Sequence, residues 1–304
     1  MNRRRFLHIA AAATLSGFAA STYCADRERP NILWLISEDT SPDIGCYGVP
    51  LVKTPNIDKL ASQGIRFNNA FATCPVCSPA RSAFMTGMYQ TAIGAHNHRT
   101  FAKKPLPDPV RVITHYFREA GYFVGNGHGL DSEKAGKRDW NFDVAELPFD
   151  GTDWSQRAEG QPFFHQINFR LTHRVFERDP ENPINPDDVD VPPYYPDHPM
   201  AQRDWADYLE SLQVLDKEIG AVLKRLENEG LAENTVVFYF GDHGRPHVRG
   251  KQWLYESGIR VPLIIRLPDG YRAGSTSETL VSLIDLAPTS MQLANIDPPQ
   301  HLQG

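Results

Sequence analysis

Two short apolar runs, each closed by a pair of polar residues, constrain this chain more than any other feature. Asn31 to Ser37 reads Asn-Ile-Leu-Trp-Leu-Ile-Ser and ends in Glu38-Asp39; Thr235 to Phe240 reads Thr-Val-Val-Phe-Tyr-Phe and ends in Gly241-Asp242-His243-Gly244. A strand wetted on one face alternates apolar and polar residues, whereas a strand buried on both faces of a parallel sheet is apolar throughout. Both runs therefore predict central strands of an α/β sheet covered by helices on each side. Ligands of such sheets lie beyond the carboxyl ends of the strands, so both polar pairs are placed for chemistry. Glu38, Asp39 and Asp242 offer the hard oxygens that a cation such as Ca²⁺ takes, and His243 adds a softer nitrogen.

A third stretch bears on the same place. Phe67 to Thr73 reads as extended, and Cys74-Pro75-Val76-Cys77-Ser78-Pro79-Ala80-Arg81 then opens a short helix that runs to Thr86. Pro79 suits a first helical turn, which has no partner for its N–H, and Gly87 suits the residue just past the end. Cys77 thus stands where free N–H groups and the positive end of the helix dipole favour an anion. Arg81, one turn along, can fold its guanidinium back to the same spot. Cys74-x-x-Cys77 also fits a redox pair or two inert buried thiols. Neither of those explains Arg81 or the acidic strand ends.

The remaining elements alternate in the manner of an α/β domain. Helices are expected from Thr54 to Ala61, from Val110 to Ala120 and, with Trp205, Tyr208, Leu212, Leu215 and Ile219 on one stripe, from Gln202 to Glu229. Strands are expected at 121–125, 162–169 and 261–267, and a strand or helix at 279–293. Seven prolines between Asp179 and Pro199 predict one long loop.

Cys77-Ser78-Pro79-Ala80-Arg81 with Thr86-Gly87 resembles the C-x-P-x-R signature of the sulfatase family, and the similarity of order extends over roughly residues 30 to 304. The resemblance implies the alkaline phosphatase-like α/β fold, with a mostly parallel central sheet between helices. It implies that Cys77 is converted to formylglycine by a formylglycine-generating enzyme, the hydrated aldehyde being the nucleophile. It also implies a Ca²⁺ ion, with Mg²⁺ as the alternative, held by Glu38, Asp39, Asp242, His243 and position 77. Glu38 stands where the family carries an aspartate. Arg81 and Lys251 are the implied sulfate-binding cations, and His173 the implied partner of the leaving group. The family's Gly-Lys-x-His is divided here. Gly125-Asn126-Gly127-His128 keeps the histidine and Gly136-Lys137-Arg138-Asp139 keeps the lysine, so His128 and Lys137 are both candidates. The stretch Asn168 to His173 and the proline-rich loop lean toward the branch similar to N-sulfoglucosamine sulfohydrolase (sulfamidase). Family members usually continue into a smaller C-terminal subdomain, so this chain is expected to be truncated there.

The substrate implied is a sulfated sugar or glycan carrying O- or N-sulfate. Two other readings stand beside it: a phosphonate or phosphodiester hydrolase of the same fold, and a non-catalytic binder of sulfated glycans motivated by the divided motif and the abrupt C-terminus. A formal charge of −6 gives no footprint for nucleic acid or acidic membranes. Residues 1–25, with Arg3-Arg4-Arg5-Phe6-Leu7 before an alanine-rich run, read as a twin-arginine-like export signal ahead of a catalytic domain from 26 to 304. No membrane span is expected, and the expected location is periplasmic or extracellular.

Overall fold

The computed structural model describes residues 29–304 apart from Glu146. The expected export signal and Cys24 lie outside the described residues. In chain order the elements are β1 (Asn31–Ser37), α1 (Pro55–Gln63), β2 (Ile65–Phe71), α2 (Cys77–Thr86), α3 (Ile113–Glu119), β3 (Phe123–His128), β4 (Asp131–Ala135), β5 (Phe163–Phe169), α4 (Pro199–Asn228), β6 (Thr235–Gly241), the single turn α5 (Glu256–Ile259), β7 (Arg260–Arg266), β8 (Ser275–Ser282) and α6 (Leu286–Leu293).

All eight strands join one sheet in the order β4-β3-β5-β1-β6-β7-β2-β8. The strands β3, β5, β1 and β6 are mutually parallel, β8 is parallel to β2, and only β4 and β7 run against their neighbours. The two apolar runs become adjacent central strands. Ser37 at the end of β1 lies opposite Gly241 of β6 and Phe169 of β5, so three carboxyl ends stop level with one another.

Alternate residues of β1 feed two cores. Ile32, Trp34 and Ile36 pack with Phe84 of α2, Phe117 of α3 and Met291 of α6. Leu33 and Leu35 pack with Ile57 and Leu60 of α1 and Tyr208, Leu212 and Leu215 of α4. Each such side chain, fully buried, stabilises the fold by about 1.5–3 kcal/mol. Trp34 meets Phe84, Phe164, Phe238 and Phe240 edge-on, and its indole N–H donates to Ser290 Oγ at 3.0 Å. On the other face Asp216 of α4 accepts from the backbone N–H of Ile57 at 2.8 Å and from the Asn56 amide at 2.8 Å, which supplies the start of α1 with acceptors.

Two expected elements are adjusted. Val110 spends its N–H in a turn to the Pro107 carbonyl and Val112 is extended, so the expected 110–120 helix begins at Ile113. The open stretch 279–293 holds both alternatives. The strand β8 runs to Ser282, where a reciprocal cap between Ser282 and Asp285 turns the chain into a short 3₁₀ turn and then α6.

Candidate active site

The level strand ends carry the site. Asp39, just past β1, has φ 51, a left-handed conformation that aspartate tolerates better than most side chains. Its N–H donates to Asp242 Oδ1 at 3.0 Å, and the N–H of His243 donates to the same oxygen at 2.9 Å. The other Asp242 oxygen accepts from Arg81 Nε at 3.0 Å. Burial works against the Asp242 carboxylate, but the charges of His243, Arg81 and Lys137 overcome it and hold its pKa well below the usual carboxylate range. Arg81 Nη1 donates to Asn168 Oδ1 at 2.5 Å. Its Nη2 lies 3.0 Å from Asp242 Oδ2 without hydrogen-bond geometry, leaving one buried donor unused.

Cys77 is the first residue of α2 and is 1% exposed. Its Sγ lies 3.1 Å from His243 Nε2 and 3.9 Å from Asp39 Oδ1. His243 Nδ1 is 3.0 Å from the Gly244 carbonyl, which only a protonated Nδ1 can satisfy. Burial disfavours a charged ring, yet Asp242, Asp39 and Cys77 together raise the His243 pKa well above its ordinary value. Burial likewise opposes ionised Asp39, and the His243 hydrogen bond and charge, with Lys251, hold its pKa down. Lys251 Nζ meets Asp39 Oδ1 at 3.0 Å and Oδ2 at 2.9 Å. The Lys251 loop is tied to the signature itself, because Gln252 N–H donates to the Pro75 carbonyl at 2.7 Å.

This donor set fits a divalent cation. Ligand atoms of Asp39, Cys77 and His243 all lie within 4.8 Å of one another. Glu38 Oε1 is buried without a hydrogen-bond partner, an acceptor with nothing to accept. The carboxylates of Glu38, Asp39 and Asp242 are matched by Arg81, Lys137 and Lys251. Asp242 Oδ1 lies 3.6 Å from His243 Nε2, and both Asp242 oxygens also accept from Arg81 or from backbone N–H groups.

Of the two halves of the divided motif, the structure brings Lys137 into the cluster. Its Nζ contacts Glu38 Oε2 at 2.9 Å and lies 3.6 Å from Asp139. The device that places it is Asn126. The Asn126 side-chain amide donates to the Gly136 carbonyl at 2.7 Å, and the N–H of Gly136 returns to the Asn126 carbonyl at 2.9 Å. The intervening residues turn out through β4, and position 136 admits no side chain: a Cβ there would lie 2.1 Å from the Gly127 carbonyl oxygen. Asn126 Oδ1 also accepts from Gln166 at 2.8 Å and Asn168 at 2.9 Å, so one chain of amides across β3 and β5 sets both Lys137 and Arg81.

His128 ends β3, half-buried, with no hydrogen bond to the Cys77 cluster among the described residues. His173 is half-buried on the loop after β5, with Nδ1 2.7 Å from the Arg174 carbonyl; its neighbour Thr172 ties that loop to the Glu38 carbonyl. Sequence reasoning missed Asn126, Gln166 and Asn168, although polar residues inside apolar strand runs were the available signal. It also missed Arg99 and Asp139, which pair at 2.9 and 3.1 Å on the rim beside Lys137. Cys46, Cys74 and Cys77 are all free thiols, and the Cys46 thiol is pushed up to about 12 by burial and by Asp58.

Comparison with known proteins gives a consistent answer. The family model described as Sulfatase matches residues 30–296. An ulvan-active sulfatase of Formosa agariphila is 33% identical over 326 residues, covering 91% of this chain and 54% of that protein. The human N-sulphoglucosamine sulphohydrolase is 27% identical, covering 90% of this chain and 63% of that protein. This chain thus spans somewhat more than half the length of these relatives. Among solved structures, the phosphonate monoester hydrolase of Silicibacter pomeroyi superposes with a TM-score of 0.71 at 20% identity, covering 90% of this chain and 75% of that one. The sheet and its helices are those of the alkaline phosphatase-like fold, as the sequence led us to expect.

Proposed function

The chain belongs to the sulfatase family, and on that premise we propose that it hydrolyses O- or N-sulfate from a sulfated glycan, with position 77 as the nucleophile. The observation that carries the reading is the setting of Cys77: a sulfur at a helix start, 3.1 Å from His243 and 3.9 Å from Asp39, with the Arg81 guanidinium on the adjoining carboxylate. Converted to formylglycine, residue 77 would supply as its hydrate two hydroxyls, one to attack sulfur and one to release sulfate by restoring the aldehyde. A divalent cation held by Asp39, His243 and position 77, with Glu38 and Asp242 alongside, would supply Lewis acidity for an oxyanion there. Ca²⁺ is the preferred candidate and Mg²⁺ the alternative.

The chain's own side chains provide the rest. The unused Nη2 donor of Arg81 is preorganised for an oxygen of the transferring group, and it is desolvated, where such donors count most. Lys251 and Lys137 stand one on Asp39 and one on Glu38, suited to neutralise sulfate oxygens as charge moves toward the leaving group. Asp242, hydrogen-bonded to Arg81 and to two backbone N–H groups, fixes the guanidinium and the Asp39–His243 pair. Protonation of the leaving oxygen or nitrogen falls to His173 or His128 on the rim, a step that general acids speed by ~10²–10⁴.

The ulvan-active relative and the sulphoglucosamine sulphohydrolase both support a sulfated sugar as substrate. The likeness to a phosphonate monoester hydrolase, resting on fold alone, supports the second reading. Side-by-side turnover of an aryl sulfate and an aryl phosphonate decides between them, and faster phosphonate cleavage would overturn the first. Mass spectrometry of the peptide spanning Cys77, after expression with a formylglycine-generating enzyme, tests the nucleophile; an intact thiol alongside full activity would reject it. The contact of Lys137 with Glu38 weighs against the third reading, a non-catalytic binder, as far as that reading rests on the divided motif. Among the described residues no helix is long and apolar enough to cross a membrane, and export remains part of the proposal.

A further inference from the structure

The loops that carry the Cys77 cluster also line a cavity of about 390 Å³, the size of a small-molecule site. Ser41 lies two residues past Asp39, Arg245 two past His243, and Arg249 two before Lys251. Folding of the 245–251 turn makes this division possible. Lys251 N–H bonds the Arg245 carbonyl at 2.8 Å, Gly250 N–H bonds the His247 carbonyl at 2.9 Å, and Arg249 is left-handed with φ 61. Lys251 therefore faces Asp39 while Arg249 faces the cavity.

The Arg249 guanidinium carbon lies 4.8 Å from the Tyr194 ring centroid and 5.0 Å from that of Tyr255. These contacts hold the guanidinium by its faces. Its side chain makes no ion pair and no hydrogen bond to any described residue, so all its edge donors are unspent. Arg245, also in the wall, gives both its ion-pair contacts to Asp43 at 2.8 Å from a single nitrogen, and its buried Nε has no partner. Arg260 and the carboxylates of Asp43 and Glu256 also line the cavity, so three arginines face two acids and the excess is one positive charge, beside aromatic rings.

We propose that this cavity binds the next sugar of the substrate chain through a carboxylate or second sulfate on that sugar, received by the Arg249 edge while the ring lies against Tyr255 or Tyr194. A guanidinium presents paired donors that match such oxyanions, and an aromatic face suits the apolar side of a pyranose. The inference rests on the sulfatase reading and adds to it: the enzyme recognises at least a disaccharide, and an acidic neighbour is preferred.

The test uses two probes that share a sulfated sugar and differ in its neighbour, one a uronic acid and the other its carboxyl-reduced form. Turnover of both, and of an aryl sulfate, is measured for the wild type and for Arg249→Ala, Arg249→Lys and Tyr255→Ala. Binding of both probes is also measured by calorimetry on Cys77→Ala with and without Arg249→Ala. The wild type should prefer the acidic probe about tenfold in KM, Arg249→Ala should erase that preference, Arg249→Lys should keep part of it, and Tyr255→Ala should weaken both disaccharides relative to the aryl sulfate. A preference that survives Arg249→Ala, or no preference in a wild type that turns over both probes, overturns the proposal. Absence of turnover on every sulfate overturns the sulfatase reading instead, and the calorimetric pair still decides whether the cavity reads charge.

Discussion

The centre of the site and the cavity lined by the same loops both depend on arginine, and they hold it in opposite ways. Arg81 is buried and held by its edges, against Asp242 and Asn168. Arg249 is exposed and held by its faces, between two tyrosines. A guanidinium fixed by acceptors is half of a balanced pair, and removing it strands a buried carboxylate. One fixed by aromatic faces leaves nothing unpaired behind, so its loss is felt only by a ligand. The centre is therefore expected to link catalysis to stability, whereas the rim should adjust recognition alone.

The largest expected effect is at Cys77. Cys77→Ala should abolish sulfate ester turnover, whereas Cys74→Ala, whose thiol has its pKa raised by burial and lies outside the cluster, should keep most of it. Comparable loss in both variants would mean that the centre works as a redox pair. Next is Arg81→Ala, which should remove turnover and also destabilise the fold by about 3–5 kcal/mol, as breaking buried pairs does. Adding Asp242→Asn should recover part of the stability and none of the turnover in chemical denaturation and aryl sulfate assays. Full recovery of both would erase the distinction between centre and rim.

A smaller effect is expected one step back. Asn126→Ala releases Gly136 and with it Lys137, and should lower kcat by roughly 10–100-fold, the range seen when supporting residues behind a site are lost. If its KM for an acidic disaccharide moved and its kcat did not, Lys137 would belong with the rim. The smallest effect concerns a buried group that makes no ion pair among the described residues. His165 is fully buried in β5, and burial pushes its pKa down to about 3. The unfolded chain takes up this proton near pH 6.5 and the folded chain does not, so the associated stability is complete above that pH and is lost as pH falls from 6.5 toward 3. The stability difference between wild type and His165→Gln should accordingly shift by about 2.7 kcal/mol between pH 7.5 and pH 4.5, against the wild type at the acid end. No shift in urea denaturation would mean that the ring is protonated inside the fold.

The strand ends were legible in the sequence because a doubly covered strand leaves an uninterrupted apolar run, and polar pairs directly after Ser37 and Gly241 stand out against it. The bounds of α2 were legible for a similar reason, since Pro79 and Gly87 mark backbone needs that are local in the chain; Gly87 does take a left-handed φ of 64. The amide chain was not. Asn126 and Asn168 are 42 residues apart, and only the parallel register of β3 and β5, which sets His128 opposite Asn168, brings their side chains together. Lys137 was ambiguous on the same ground, because its place depends on how Gly136 returns to the sheet. The cavity lined by the same loops was illegible too: Tyr194, Arg249 and Tyr255 meet only after the proline-rich loop packs against the turn that follows β6.

One consequence follows from how closed the pocket around Cys77 is. A side chain with 1% of its surface open to solvent cannot be presented to a second enzyme once the domain has formed. If this thiol is to be rewritten as an aldehyde, the rewriting must happen on the nascent or still unfolded chain. Geometry would then set the order of events: modification of residue 77 first, collapse of the core second. A batch of protein that folds too quickly would be sound in shape and permanently inert.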